Sequence, residues 1–424
     1  MQSVYLRFIQ TFSTFNFQLS IINYQLSIIH YSLLINCHFR ILGKIYKRIV
    51  MIQMNLLKKC VPLLVILFLL NISAEAQYEF KTEKRINCTS IKSQAMTGTC
   101  WSFSTTSFIE SELIRMGMDD INLSEMFIVR NIYEDKAMNY IMRQGKANFS
   151  QGSLAHDLIR IAEKDGLMTE EGYSGLMKDE SRHNHSEMEK GLKGFLDGIQ
   201  KSKVLSTKWK SAFSGILDSY MGPAPEQFDY EGKNYTPKTF VEFAKLKTEN
   251  YISITSFTHH PFYGKFILEI PDNYSNGSFY NVPLAEMMSI MDYALLAGYS
   301  ITWDGDVSEK GFSAKNGIAI LPTDKERKDL FTVPGSEIDV TQENRQVNFE
   351  NYSTTDDHLM HIVGIALDQN GTKYYITKNS WGEISDYKGY LYISEAFMKM
   401  KTVSILIHKN GLPKNSSKKL FESE

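Results

Sequence analysis

Gln94-Ala-Met-Thr-Gly-Thr-Cys-Trp-Ser-Phe-Ser104 decides how the rest of the chain is read. A glutamine stands six residues before Cys100 and a glycine two before it. Apolar residues follow at helical spacing, Ile109, Leu113 and Met116, which predicts a buried helix with Cys100 in its first turn. A first turn presents free backbone N–H groups and the positive end of the helix dipole. That setting lowers a thiol pKa and favours the thiolate, the nucleophilic form. The side-chain amide of Gln94 and the backbone N–H of Cys100 supply two donors for the oxyanion of an acyl-transfer intermediate. Most free cysteines are small buried hydrophobes, so the functional reading depends on partners far downstream.

Those partners lie in the last third. Leu359 to Ala366, Lys373 to Thr377 and Gly389 to Ser394 alternate with period two, and Gln369-Asn-Gly371 reads as a hairpin turn between the first two. Asp357-His358 opens the first strand, and Asn379 ends the second in Lys378-Asn-Ser-Trp-Gly382. Adjacent antiparallel strands bring such residues within hydrogen-bond reach. An imidazole takes the proton of Cys100 while Asn379 accepts from the other ring N–H and fixes the tautomer. Trp381 shields that bond from water. His361 is a second candidate, but period two sets it on the face opposite His358.

The chain has 424 residues, 43% hydrophobic and 22% charged, which suits a globular core without disulfides or metals. A formal charge of −2 argues against nucleic-acid binding, and no phosphate-loop glycine pattern occurs. Residues 1–53 contain a nearly uncharged seven-residue repeat, Phe17–Asn23, Tyr24–His30 and Tyr31–Cys37, and read as a non-native or mis-assigned extension. Residues 54–76 read as a signal peptide: Lys58 and Lys59, the apolar run Val61–Leu70, and Ala74-Glu75-Ala76 with cleavage after Ala76. The expected location is secreted or periplasmic. The apolar run is short for a span of about 20 residues, so no stable membrane span is expected in the mature chain. After cleavage only Cys88 and Cys100 remain, too few for a disulfide framework, and Cys88 is expected free and buried.

Asn122-Leu-Ser-Glu125 reads as a capping box opening a helix to about Met142, and Leu154–Lys164 as a helix ended by Gly166. Residues 176–250 read as a helical insertion whose Trp209, Phe213, Ile216 and Leu217 supply a buriable face. His183 with His185 and His259 with His260 are read as surface or loop histidines, because neither pair has a Cys or carboxylate at ligand spacing. No metal or other cofactor is expected. From Tyr251 strands dominate, around one helix at Val282–Leu296. The sum is an α+β arrangement, helical in the amino half and antiparallel sheet in the carboxyl half.

Three blocks, Gln94–Ser104, Asp357–Ile365 and Asn379–Gly382, resemble the papain-like cysteine peptidases. The long insertion, Gly222-Pro-Ala-Pro-Glu-Gln-Phe228, Asn281-Val-Pro-Leu284 and Val340-Thr-Gln-Glu343 resemble their bleomycin hydrolase and aminopeptidase C branch. The resemblance implies a papain-like two-lobed domain over 77–412 with a polar tail at 413–424. It implies catalytic Cys100, His358, Asn379 and Gln94. His358 is favoured over His361 because it stands six residues before Gly364. Substrate contacts are implied for Gly152, Ser153 and Trp381, with Ser153 standing where the family has a second glycine. Thr97 replaces a cysteine found in many secreted relatives, so that disulfide is absent. The expected function is a secreted cysteine peptidase with a thiolate–imidazolium mechanism, aminopeptidase-like, acting on a peptide or protein substrate; homo-oligomers are usual in the branch. The alternatives are an inactive papain-fold peptide binder, a cysteine endopeptidase and a thiol acyltransferase.

Overall fold

The computed structural model describes residues 77–422 and a few isolated positions before them, so the repeat and the signal segment lie almost wholly outside the described residues. The amino-terminal strand β1 (Phe80–Arg85) pairs antiparallel with a strand near the far end of the chain. A loop then leads into helix α1 (Cys100–Arg115), which begins at the cysteine as the sequence predicts. Most of α1 is buried on every side, including Ser102, Ser104, Thr105, Ser107, Glu110 and Glu112. Of its small hydroxyl side chains, Thr105 donates locally to the Trp101 carbonyl at 2.8 Å, whereas Ser102 donates to the Glu125 carbonyl at 2.9 Å and Ser107 meets His361. Met116, read as part of the apolar stripe, lies beyond the last turn and is exposed.

Helices α2 (Glu125–Met142) and α3 (Ala155–Lys164) pack on α1. The N-cap of α2 is Ser124, whose Oγ accepts from the Phe127 N–H at 2.9 Å. The expected cap Asn122 is two residues too early, and Glu125 is the first helical residue, bound to Lys92 at 2.6 Å. The 176–250 region carries α4 (Ser186–Ile199) and α5 (Lys208–Met221), a hairpin of β2 (Phe228–Tyr230) and β3 (Lys233–Tyr235), and α6 (Pro237–Phe243). Phe213 and Leu217 are buried from α5, with Trp209 and Ile216 packed against the same core.

The carboxyl half is one large sheet. Its strands are β4 (Tyr251–Thr255), β5 (Lys265–Ile267), β6 (Ser278–Asn281), β7 (Ile301–Gly305), β8 (Phe312–Ser313), β9 (Ile318–Ala319), β10 (His358–Asp368), β11 (Lys373–Lys378), β12 (Tyr390–Ser394) and β13 (Thr402–His408). Helix α7 (Leu284–Leu296) packs against it, α8 (Gln342–Glu350) and α9 (Glu395–Lys401) pack on each other, and α10 (Lys414–Phe421) closes the described chain. The order is β5-β6-β4-β13-β7-β10-β11-β12-β9-β8, with β1 on β10. The sheet is mainly antiparallel, as expected, but β4–β6 and β12–β9 are parallel. The connection through 256–277 turns the chain back before β6 begins.

Strand β10 organises the site. Its first half pairs with β7, placing His358 opposite Gly305 and Leu359 opposite Asp304. Its second half pairs with β1, and a register shift between Ile362 and Gly364 interrupts its pairing with β11. A side chain at Gly364 would overlap the Lys84 carbonyl of β1, so the close approach requires glycine there. No helix among the described residues is long and apolar enough to cross a membrane.

Candidate active site

Cys100 sits at the start of α1 and is 9% exposed. Its sulfur lies close enough to the backbone N–H of Leu359, the neighbour of His358 on β10, and to that of Trp101 for both to favour the thiolate. The cysteine and the histidine strand, far apart in sequence, therefore meet. His358 Nε2 lies 2.8 Å from Asn379 Oδ1. That oxygen also accepts from the Ser380 N–H at 2.8 Å, which fixes the amide orientation. Nε2 of the neutral ring consequently carries the proton, and Nδ1 keeps its lone pair free to act as a base. Trp381 stacks on the ring with centroids 4.6 Å apart, covering the His358–Asn379 bond.

His361 is turned the other way. Its Nδ1 lies 3.0 Å from Ser107 Oγ on α1, and that oxygen accepts from Lys378 Nζ at 2.7 Å. Burial, with the Lys378 charge adding to it, pushes the His361 pKa far below the usual range and keeps the ring neutral. Lys378 also donates to Thr89 Oγ1 at 2.9 Å, and Thr89 donates to Glu110, which contacts Lys92. This buried polar network ties α1 to the residue preceding Asn379, so it positions the amide. The sequence reading missed it, since serines and acids on a helix read as its solvent face.

Gln94 is buried, with Oε1 accepting from Ser380 Oγ at 2.6 Å and Nε2 donating to the Thr97 carbonyl at 2.7 Å. Its backbone N–H donates to the Ser380 carbonyl at 2.8 Å, and Ser93 bridges to Trp381. The glutamine loop and the Asn379–Trp381 segment are thus one structural unit. Gly152 lies under the Asp272 carboxylate, where any side chain would overlap it, and the Gly152 carbonyl accepts from Lys136. Ser153 is fully buried, its hydroxyl donating to Asp157 Oδ2 at 2.8 Å, so its side chain belongs to the start of α3.

The electrostatics run against the simplest expectation. Burial pushes the Cys100 thiol up to about 12, and the Asp356 and Asp272 charges push in the same direction, while the N–H groups of Leu359 and Trp101 pull it down. Burial also pushes His358 down to about 4, with the Asn379 bond pulling it up. For each group desolvation outweighs the helix terminus and the hydrogen bonds. Each shift disfavours one isolated charge. Proton transfer from sulfur to ring creates two charges together, each compensating the other.

The other sequence candidates separate cleanly. Cys88 and Cys100 are both free, and Cys88 is half-buried, 3.3 Å from the Tyr390 hydroxyl. His185 is buried, contrary to the surface or loop reading, because it opens α4 against Tyr133. His259 and His260 do meet a carboxylate, which local spacing hid: Glu269, ten and nine residues on, lies 3.3 and 2.7 Å from their Nε2 atoms. The three ligand atoms fall within 4.8 Å of one another. Gln346 decides the tautomer there. Its Oε1 accepts from the Thr258 N–H at 2.6 Å, so its amide N–H faces His259 Nδ1 at 3.0 Å. His259 then holds its proton on Nε2, the atom a metal would need.

The family model described as "Peptidase C1-like family" matches residues 210–424, half of the chain, and the papain family cysteine protease model matches 75–214. The chain belongs to the peptidase C1-like family. This papain-type cysteine peptidase is 24% identical over 297 residues to aminopeptidase G of Lactobacillus delbrueckii subsp. lactis, covering 66% of the peptidase but only 61% of that relative's length. It is 23% identical over 389 residues to aminopeptidase C of Streptococcus thermophilus, covering 80% and 84% of the two chains. The crystal structure of PepW from Lactobacillus rhamnosis superposes with a TM-score of 0.62 at 18% identity, covering 81% of the peptidase and 85% of PepW. The likeness to PepW shows the shared papain-like fold.

Proposed function

We propose that the peptidase is a secreted cysteine aminopeptidase working through a thiolate–imidazolium pair. One observation carries the mechanism: the Cys100 sulfur sits on the N–H beside His358, whose ring is held by Asn379 with Nδ1 as its free base. The thiol passes its proton to Nδ1 as the sulfur attacks the peptide carbonyl. The Cys100 N–H and Gln94 Nε2 stabilise the oxyanion, and the imidazolium protonates the leaving amine. A water activated by the same ring then hydrolyses the thioester. The names of the relatives, aminopeptidases G and C, favour release of residues from the amino end. Lys58, Lys59, the apolar run and Ala74-Glu75-Ala76 favour export.

Incubation with a defined peptide mixture, followed by sequencing of the products, tests this reading. Stepwise loss from the amino end is expected, and Cys100→Ala should abolish it. Internal cuts would replace the aminopeptidase reading with an endopeptidase, and activity in the Cys100 variant would overturn the mechanism. Amino-terminal sequencing of the exported chain should begin at Gln77; a chain retained inside the cell would refute export.

A further inference from the structure

Three carboxylates that no part of the catalytic chemistry uses converge beside Cys100. Asp356 is two residues before His358; Asp304 lies opposite Leu359 on β7; Asp272 covers Gly152 from the facing wall. The charges of Asp356 and Asp272 both reach the Cys100 sulfur. Asp304 is 1% exposed; its Oδ2 accepts from Ser404 Oγ at 2.9 Å, but its Oδ1 has no donor, and neither has the buried Oδ2 of Asp356. These two carboxyl groups face each other and can share one proton. Asp356 also lines a recess of ≈ 470 Å³ bounded by Ile270 and Pro271 on one side and Phe349 and Thr354 on the other. Asp272, next to Pro271, is held by the Asn148 amide at 3.0 Å.

Lys136 supplies a positive charge on the Asp272 side of the cluster, but the charges acting most on Asp356 are negative, those of Asp304, Asp272 and Asp357. Burial pushes Asp356 far above the usual carboxylate range and Asp304 up to about 7. The Lys136 ammonium is engaged by the Ser150 and Gly152 carbonyls. Buried carboxylates this close are costly unless a positive, hydrogen-bond-donating group enters among them. We infer that Asp356, backed by Asp304 and faced by Asp272, is a subsite for an alkylammonium group, the free α-amine of the peptide being cleaved. An α-nitrogen lies roughly 2.5 Å from its own carbonyl carbon, so an amine anchor must sit on the nucleophile's side of the cleft, and Asp356 and Asp272 are the carboxylates whose charges act on the Cys100 sulfur. A basic side chain would offer the same chemistry from further along the substrate.

The inference rests on the proposed peptidase activity and adds the group that selects the substrate end. The test compares kcat/KM for a peptide with a free amine, the same peptide N-acetylated, and N-acetylated peptides carrying lysine or norleucine one residue before the cleaved one. The free-amine peptide should be preferred about 100-fold or more, and Asp356→Asn should cut that preference at least tenfold, chiefly through KM. Asp356→Glu should restore part of it. An unchanged near- and far-UV circular dichroism spectrum certifies that each variant is folded. Equal hydrolysis of free and acetylated peptides by the native enzyme would overturn the inference and leave the peptidase reading standing. Preference for lysine over norleucine in the acetylated pair would overturn the α-amine as the source. No hydrolysis of any peptide would instead sink the underlying activity.

Discussion

Removing the imidazole of His358 should strand the Cys100 proton. In the folded chain burial, more than any other influence, holds this thiol at about 12. At pH 7 a thiol of that pKa is ionised in only ~1 molecule in 10⁵. With the ring present, the proton can move to Nδ1 and the sulfur reacts as part of a neutral pair. Its alkylation by iodoacetamide should then be nearly flat above pH 6 and fall only in acid, where the pair takes up one more proton. His358→Ala should lower the alkylation rate at pH 7 by at least ~100-fold, allowing for the solvent that the missing ring admits. The rate of the variant should instead climb tenfold per pH unit towards pH 10 and beyond. Asn379→Ala should fall between the two, because the ring remains but its Nε2–H loses the acceptor at 2.8 Å. The assay is stopped-flow or mass-spectrometric labelling of Cys100, with Cys88→Ser as the common background. Equal rates in native protein and His358→Ala at pH 7 would refute the pairing of sulfur and ring.

His361→Ala should leave catalysis by folded molecules largely intact but lower stability by about 1–3 kcal/mol, since the Ser107 hydroxyl loses its buried partner; chemical denaturation measures this, and activity loss equal to that of His358→Ala would exchange the two roles. Gly152→Ala should drive the Asp272 carboxylate off Asn148 and cost about 1–3 kcal/mol, with reduced kcat/KM, read by melting and peptide hydrolysis; an unperturbed variant would contradict the packing described. Asp304, raised to about 7 by burial above its ordinary value near 3.8, binds a proton in the folded state that the unfolded chain has already released between those values. Stability from this group is therefore full below about pH 4 and lost as pH rises through 7. Asp304→Asn should raise Tm relative to the native protein more at pH 8 than at pH 5, and the opposite trend would reject the assignment.

The nucleophile helix, the histidine strand and the Asn379 turn were legible because each is a local pattern: helical spacing after Cys100, period two after His358, and a turn signal at Gln369-Asn-Gly371. The boundaries of α7, β10 and β11 fall within two residues of the expected ones. What escaped depends on tertiary proximity. Asp272, Asp304 and Asp356 come from three separate segments, and only Asp356 stands close in sequence to a recognisable motif. Glu269 reaches His259 and His260 across a turn that ligand-spacing rules do not cover. The pKa of Cys100 was misjudged in sign because the helix terminus was weighed without the depth of burial, which only packing reveals. The cap is Ser124 and not Asn122: both residue types are good acceptors, and the extended backbone at Ser124 places its hydroxyl on the Phe127 N–H.

The pairing of β1 with the distal half of β10 makes the amino-terminal strand a mechanical support of the site. Tyr78 donates from its backbone to the Thr332 carbonyl at 3.1 Å and Phe80 stacks on Tyr392 at 3.8 Å, so residues 78–85 are a splint on the strand that begins with His358. Trimming that reaches Arg85 would leave the second half of β10 with one hydrogen-bonded edge bare and would loosen, from the far end, the strand that presents the imidazole.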